Sequence, residues 1–270
     1  MRTLYFDCFS GISGDMVIGA LIDAGADPVQ MEEELKKLNI DEEYNLSWGK
    51  VVKNGITSTK FDVILTSKSE QTHEHSHSHG HEHSHEHEHN HSHVLHHHHG
   101  SRTYKQIVEA INEANFNESV TNRSLAIFKK IGEAEGHIHG LPLEKVHFHE
   151  VGAVDSIIDI IGAAILIDQL GIESVQSSAI PTGSGHIHID HGIYPVPAPA
   201  TLEILKGVPI ASNDIRFELT TPTGAAIAAV LAETFGSLPA MTVESIGYGA
   251  GTKTFENHPN VLRIIIGEIQ

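Results

Sequence analysis

Between Thr72 and Gly100 lie fifteen of the 23 histidines of this 270-residue chain. They form an alternating run, His73, His75, His77, His79, His81, His83, His85, His87, His89, His91 and His93, followed by a block from His96 to His99. A segment this poor in apolar residues cannot supply a core. The core must therefore come from a shorter stretch before it and a longer one after it, folded as one unit over residues 1–270 around an insert. Neutral imidazole is a good ligand for Ni²⁺, Zn²⁺ and Cu²⁺. Glu74, Glu82, Glu86 and Glu88 add negative charge that favours cations. The expectation is a disordered, metal-gathering arm over residues 72–100, with an inert low-complexity linker as the alternative.

Seventeen basic residues against 35 acidic ones give a formal charge of −18, which protonation of every histidine would carry to +5. Such an acidic balance argues against nucleic acid as a partner. The single cysteine, Cys8, excludes an intrachain disulfide and a Cys-rich zinc site. One thiol, no signal-peptide pattern and no apolar run long enough to span a bilayer lead us to expect a soluble, cytoplasmic protein.

Periodicity predicts strands at 4–9, 175–181, 185–188, 217–220, 241–248 and 261–268. It also predicts a hairpin of 46–52 and 60–66 about Asn54-Gly55, and a short strand at 146–149. Helices are expected at 16–24, 28–38, 104–115, 119–135, 155–170, 200–205 and 224–235. The irregular alternation indicates an α/β or α+β fold with a mixed sheet and helices.

Five strings can carry chemistry. Asp7 to Met16, DCFSGISGDM, sets Ser10, Gly11, Ser13 and Gly14 in a strand-to-helix turn whose backbone N–H groups suit an anion, with Asp7 and Asp15 placed to hold a cation beside it. A capped turn without a ligand is the alternative. In HFHEVGAVDSIIDIIG, His147 and His149 project to one face of an extended segment and Glu150 to the other. Asp155 and Asp159 then share a helix face. Together these groups can make a metal site or an acid–base pair. Asp159, inside an apolar helix, needs a partner.

In the third string, GSGHIHIDHGIYPVPAPAT, His188 and His191 are candidate metal ligands on a loop of fixed shape, or part of a plain surface hairpin. In ELTTPTGAA, the residues Thr221, Thr223 and Gly224 open a helix, which suits an anion or is simple capping. GYGAG, the fifth, lets backbone approach a planar ligand or marks a turn.

Taken in order and with the His-rich insert, these strings resemble the LarC family, the nickel insertion proteins of nickel-pincer cofactor biosynthesis. The resemblance implies a lyase-class nickel chelatase. It would insert Ni²⁺ into pyridinium-3,5-bisthiocarboxylic acid mononucleotide, using CTP and Mn²⁺ or Mg²⁺, to make the cofactor of lactate racemase. It also implies a further C-terminal domain associated with CTP, so a C-terminal partner chain is expected for turnover, with lactate racemase apoprotein as recipient and oligomerisation possible. Forming the nickel–carbon bond that the family implies needs a positioned base. His147, His149 and Glu150 are the candidates, with Asp155 beside them. A non-enzymatic nickel store or chaperone is the competing expectation, since the arm alone would suffice for it.

Overall fold

The computed structural model describes residues 1–66, 102–148, 153–189 and 192–269. The arm, His149, Glu150, Asp190 and His191 lie outside the described residues.

The chain opens with strand β1 (Arg2–Asp7), helix α1 (Gly14–Asp23) and helix α2 (Pro28–Leu35). The hairpin β2 (Tyr44–Lys53) and β3 (Ile56–Leu65) follows, then α3 (Tyr104–Glu113), α4 (Glu118–His139) and α5 (Val154–Gln169). Next come β4 (Ser174–Ser177), β5 (Ile180–Pro181), β6 (His186–Ile189), β7 (Gly192–Pro195), α6 (Pro199–Ile204) and β8 (Ile210–Ala211). The chain closes with α7 (Pro222–Leu231), β9 (Thr234–Phe235), β10 (Thr242–Ala250) and β11 (Val261–Glu268).

Seven strands form one mixed sheet in the order β2-β3-β10-β11-β1-β4-β9. The β1, β4 and β9 strands run parallel, β11 is antiparallel to both its neighbours, and β10 joins β3 in parallel. The fold is thus α/β on a mixed sheet. Helix α1 lies across β3, β10 and β11, α5 packs on α1, and α4 packs on α5 and α7. Nearly every face of α5 is Ile, Ala or Leu, and eleven of its residues are buried. That is the signature of a helix enclosed on all sides.

Two glycines set the approach of α1 to the sheet. A Cβ on Gly249 would lie 1.8 Å from the Met16 carbonyl, and one on Gly247 would lie 2.0 Å from that of Ala20. Only glycine lets the helix sit this low on β10. Asp23, at the end of α1, pins the same contact: it accepts from the Thr59 hydroxyl at 2.7 Å and from the Tyr248 amide at 2.9 Å. The outcome is a fixed α1 whose N-terminus is held above the carboxyl end of β1, where ligands bind in open α/β sheets.

Some elements differ from the periodicity. The helix expected over 224–235 stops at Leu231, because Thr234 and Phe235 pair with β4. In place of the expected strand at 217–220, and of that at 146–149 as far as it is described (to Phe148), there are isolated bridges, Thr103 to His147, Ile12 to Thr220 and Gly183 to Glu218. No helix among the described residues is long and apolar enough to cross a membrane.

Candidate functional site

Three helices begin around one cavity of about 400 Å³. The start of α1 contributes Ser13, Gly14 and Asp15, that of α5 Asp155, Ser156 and Asp159, and that of α7 Thr221, Pro222 and Thr223. Lys60 and Asp62 of β3, with Glu218 and Thr252, complete the wall. Helix N-termini carry partial positive charge and unsatisfied N–H groups. Thr221 caps α7 by accepting from the Gly224 amide at 3.2 Å. The other two helices start without a capping side chain. The Ser13 hydroxyl donates instead to Asp15, and Ala153 has no group to offer.

The site forms here because two crossings are tight. Ile12 accepts from Thr221 and donates to the Leu219 carbonyl, which locks the β1–α1 turn against the segment before α7. Gly11, in the left-handed region at φ 86°, and Gly224 leave no room for side chains at this crossing. Gly14 does the same against α5: a Cβ there would lie 2.4 Å from a carboxylate oxygen of Asp159.

Lys60 is the cation of the cavity, its side chain only 14% exposed. It donates to Asp15 at 2.8 Å and to the Phe61 carbonyl at 2.7 Å, and bridges to Asp62 at 2.8 Å. Burial works against its charge, but Asp15 and Asp62 outweigh burial and hold its pKa above the usual lysine value. Asp159 keeps intermediate exposure as a residue, yet its Oδ1 is closed to water and has no hydrogen-bond partner. Burial first, then repulsion from Asp15 and Asp155, raises its pKa well above the ordinary carboxylate range. Burial thus favours the neutral form of Asp159 beside the cavity.

Around this one lysine stand Asp15, Asp62, Asp155, Asp159 and Glu218. No three His, Cys, Asp or Glu side chains among the described residues converge closely enough to hold a metal ion unaided. The donor set is all oxygen, which suits a hard cation such as Mg²⁺ or Mn²⁺. The combined field is of two kinds: helix starts that attract an anion and carboxylates that repel one.

Of the residues singled out from the sequence, Ser13, Gly14, Asp15, Asp155, Thr221 and Thr223 meet in this cavity. Asp7 does not join them. It accepts from Arg263 Nε at 2.8 Å and lines a different cavity, of about 560 Å³, at the carboxyl ends of β1, β4 and β9. Ser10 is fully buried and its hydroxyl donates to the Pro259 carbonyl at 2.5 Å. His147 is exposed, bridged through its backbone to Thr103 and away from the cavity walls. His188 stands exposed on the β6–β7 hairpin, opposite Ile193. Cys8 is buried, and burial pushes its thiol up to about 12, so it is no thiolate. Lys60, Asp62 and Thr252 carried no signal in the sequence. Lys60 and Asp62 alternate on a strand, which places them on one face, but only the fold brings Asp15 to that face.

Residues 4–270 match the family described as nickel insertion protein. The chain belongs to the nickel insertion protein family. Family relatives agree. The protein of Geobacillus kaustophilus named pyridinium-3,5-bisthiocarboxylic acid mononucleotide nickel insertion protein is 50% identical over 99% of this chain and 60% of its own length. One of the same name from Staphylococcus epidermidis is 48% identical over 98% of this chain and 59% of its own. A putative nickel insertion protein from Dictyoglomus thermophilum is 40% identical over all of this chain and 61% of its own. The chain thus spans about 60% of the length of these family members. No solved structure matches it.

Proposed function

We propose that this chain is the substrate-holding part of an enzyme that inserts Ni²⁺ into pyridinium-3,5-bisthiocarboxylic acid mononucleotide. The observation that carries this reading is the 400 Å³ cavity, where three helix starts and five acidic side chains surround Lys60. A mononucleotide phosphate is the kind of anion that helix starts favour. The carboxylates favour its arrival with a divalent cation, and Asp15 and Asp155 would hold a Mg²⁺ or Mn²⁺ that offsets the phosphate charge. Lys60 offers the remaining positive charge. Asp159, whose neutral form burial favours, would supply a further carboxylate oxygen beside a bound cation. Nickel is the cargo. The histidine run from His73 to His93 gathers it, and the sulfur atoms of the nucleotide receive it.

The use of CTP, the lyase class of the reaction, a C-terminal partner chain and delivery of the product to lactate racemase belong to the same proposal for the whole enzyme. Storage alone is the weaker reading, because a nickel store needs no cavity with phosphate-binding features. Calorimetric titration of the chain with the nucleotide tests the proposal. Binding is expected with Mg²⁺ present and is expected to vanish in EDTA. Lys60→Ala should weaken it about tenfold or more, the scale of one charge-assisted contact. Equal affinity with and without the divalent ion, or in the Lys60→Ala variant, would contradict the phosphate assignment.

A further inference from the structure

Four rings form a continuous ridge outside that cavity, carried by three separate loops. Phe9, on the β1–α1 turn, packs on His258 with centroids 4.6 Å apart. His258 stands 6.2 Å from Phe255 in the β10–β11 loop, and Phe255 stands 5.7 Å from Phe217, just before α7. Phe9 is 47% exposed, the one aromatic among the exposed large hydrophobics of the described residues. Its neighbours show what the ridge attracts: the ammonium of Lys253 already lies over the Phe217 ring, 5.4 Å from its centroid. Phe9 lines the 560 Å³ cavity, and Glu218 and Thr252, next in sequence to Phe217 and Lys253, line the acidic one.

His258 is locked in one form. The Ser10 hydroxyl has a single proton and donates it to the Pro259 carbonyl at 2.5 Å. The 2.6 Å contact between Ser10 Oγ and His258 Nε2 must therefore run from Nε2–H to the oxygen. The neutral ring is thus the Nε2–H tautomer, and burial lowers the affinity of Nδ1 for a second proton, which favours the form that does not repel a cation stacked beside it.

We infer that this ridge is the platform on which a planar, positively charged heteroaromatic ring rests, the pyridinium of the nucleotide, with Phe9 as its exposed stacking face. The inference deepens the proposed function and rests on it. The chain's formal charge of −18, with Glu218 next in sequence to Phe217, favours a cationic ring over a neutral one.

Two probes separate the contributions in the presence of Mg²⁺: nicotinic acid mononucleotide, which has a pyridinium ring, and uridine monophosphate, which has the same ribose phosphate on a neutral ring. The wild-type chain should prefer the pyridinium nucleotide by about tenfold, the range of a partly desolvated cation–π contact. Phe9→Ala should erase that preference while leaving uridine monophosphate affinity in place. Phe9→Trp, which keeps a ring face, should restore it. A preference that survives Phe9→Ala overturns the ridge and leaves the phosphate cavity standing. Failure of both probes to bind overturns the proposed function and the ridge with it.

Discussion

At the scale of single residues, Asp159 is the group whose state matters most. The sequence already marks it as a carboxylate in an apolar helix that needs a partner. The fold supplies no partner for Oδ1 and favours the neutral form of the side chain instead. Its folded pKa is raised above the ordinary value of 3.8. Stability from the protonated form is thus complete below that value and is lost as pH rises through the raised one. Asp159→Asn mimics the neutral form at every pH. The variant should gain on wild type as pH rises from acid toward neutral, by about 1.4 kcal/mol for each unit of the raised pKa. Thermal melts of both proteins across that range check it, and a Tm difference independent of pH would contradict a neutral Asp159. His258 shows the opposite kind of legibility. Nothing in its neighbourhood, Asn257 to Asn260, marks it in the sequence, because its meaning comes from Ser10, which lies 248 positions away.

At the scale of elements, much was readable because local pattern and tertiary role agree. The strand at 261–268 has the bounds that alternation and β-branching give it, and the Asn54-Gly55 turn joins the hairpin as expected, both residues at positive φ. The starts of α1 and α5 fall within two residues of those expected, but neither is capped by Asp15 or Asp155: the N-caps are Ser13 and Ala153, without a capping side chain. Misreadings fall where one neighbouring element decides. The helix before β9 is cut short by pairing with β4, and the stretch 146–148 is held by a single bridge to Thr103. Which helix starts share a cavity is a property of topology, so Asp15 and Asp155 could be named from sequence but not brought together. The glycines of β10 are the element-scale test of that topology. Gly249→Ala places a Cβ 1.8 Å from the Met16 carbonyl and must lift α1 off the sheet. A loss of roughly 1–3 kcal/mol is expected from overpacking, read as a lower Tm, together with weaker nucleotide binding because Ser13 to Asp15 move with the helix. A variant with wild-type Tm would mean that α1 does not sit on β10 as described.

At the scale of the whole molecule, two sets of groups divide the work. In the proposed function the histidine run, outside the described residues, collects nickel and the α/β body holds the nucleotide. The two roles separate cleanly if the body works without the run. The most direct measurement is native mass spectrometry of the chain with residues 73–99 deleted, incubated with the nucleotide, Mg²⁺ and excess nickel. The expected result is a shortened protein carrying one nucleotide, with nickel retained only when the nucleotide is present. A shortened protein that carries no nucleotide at any concentration, while the intact chain still loads many nickel ions, would contradict the proposed role and leave a metal store in its place.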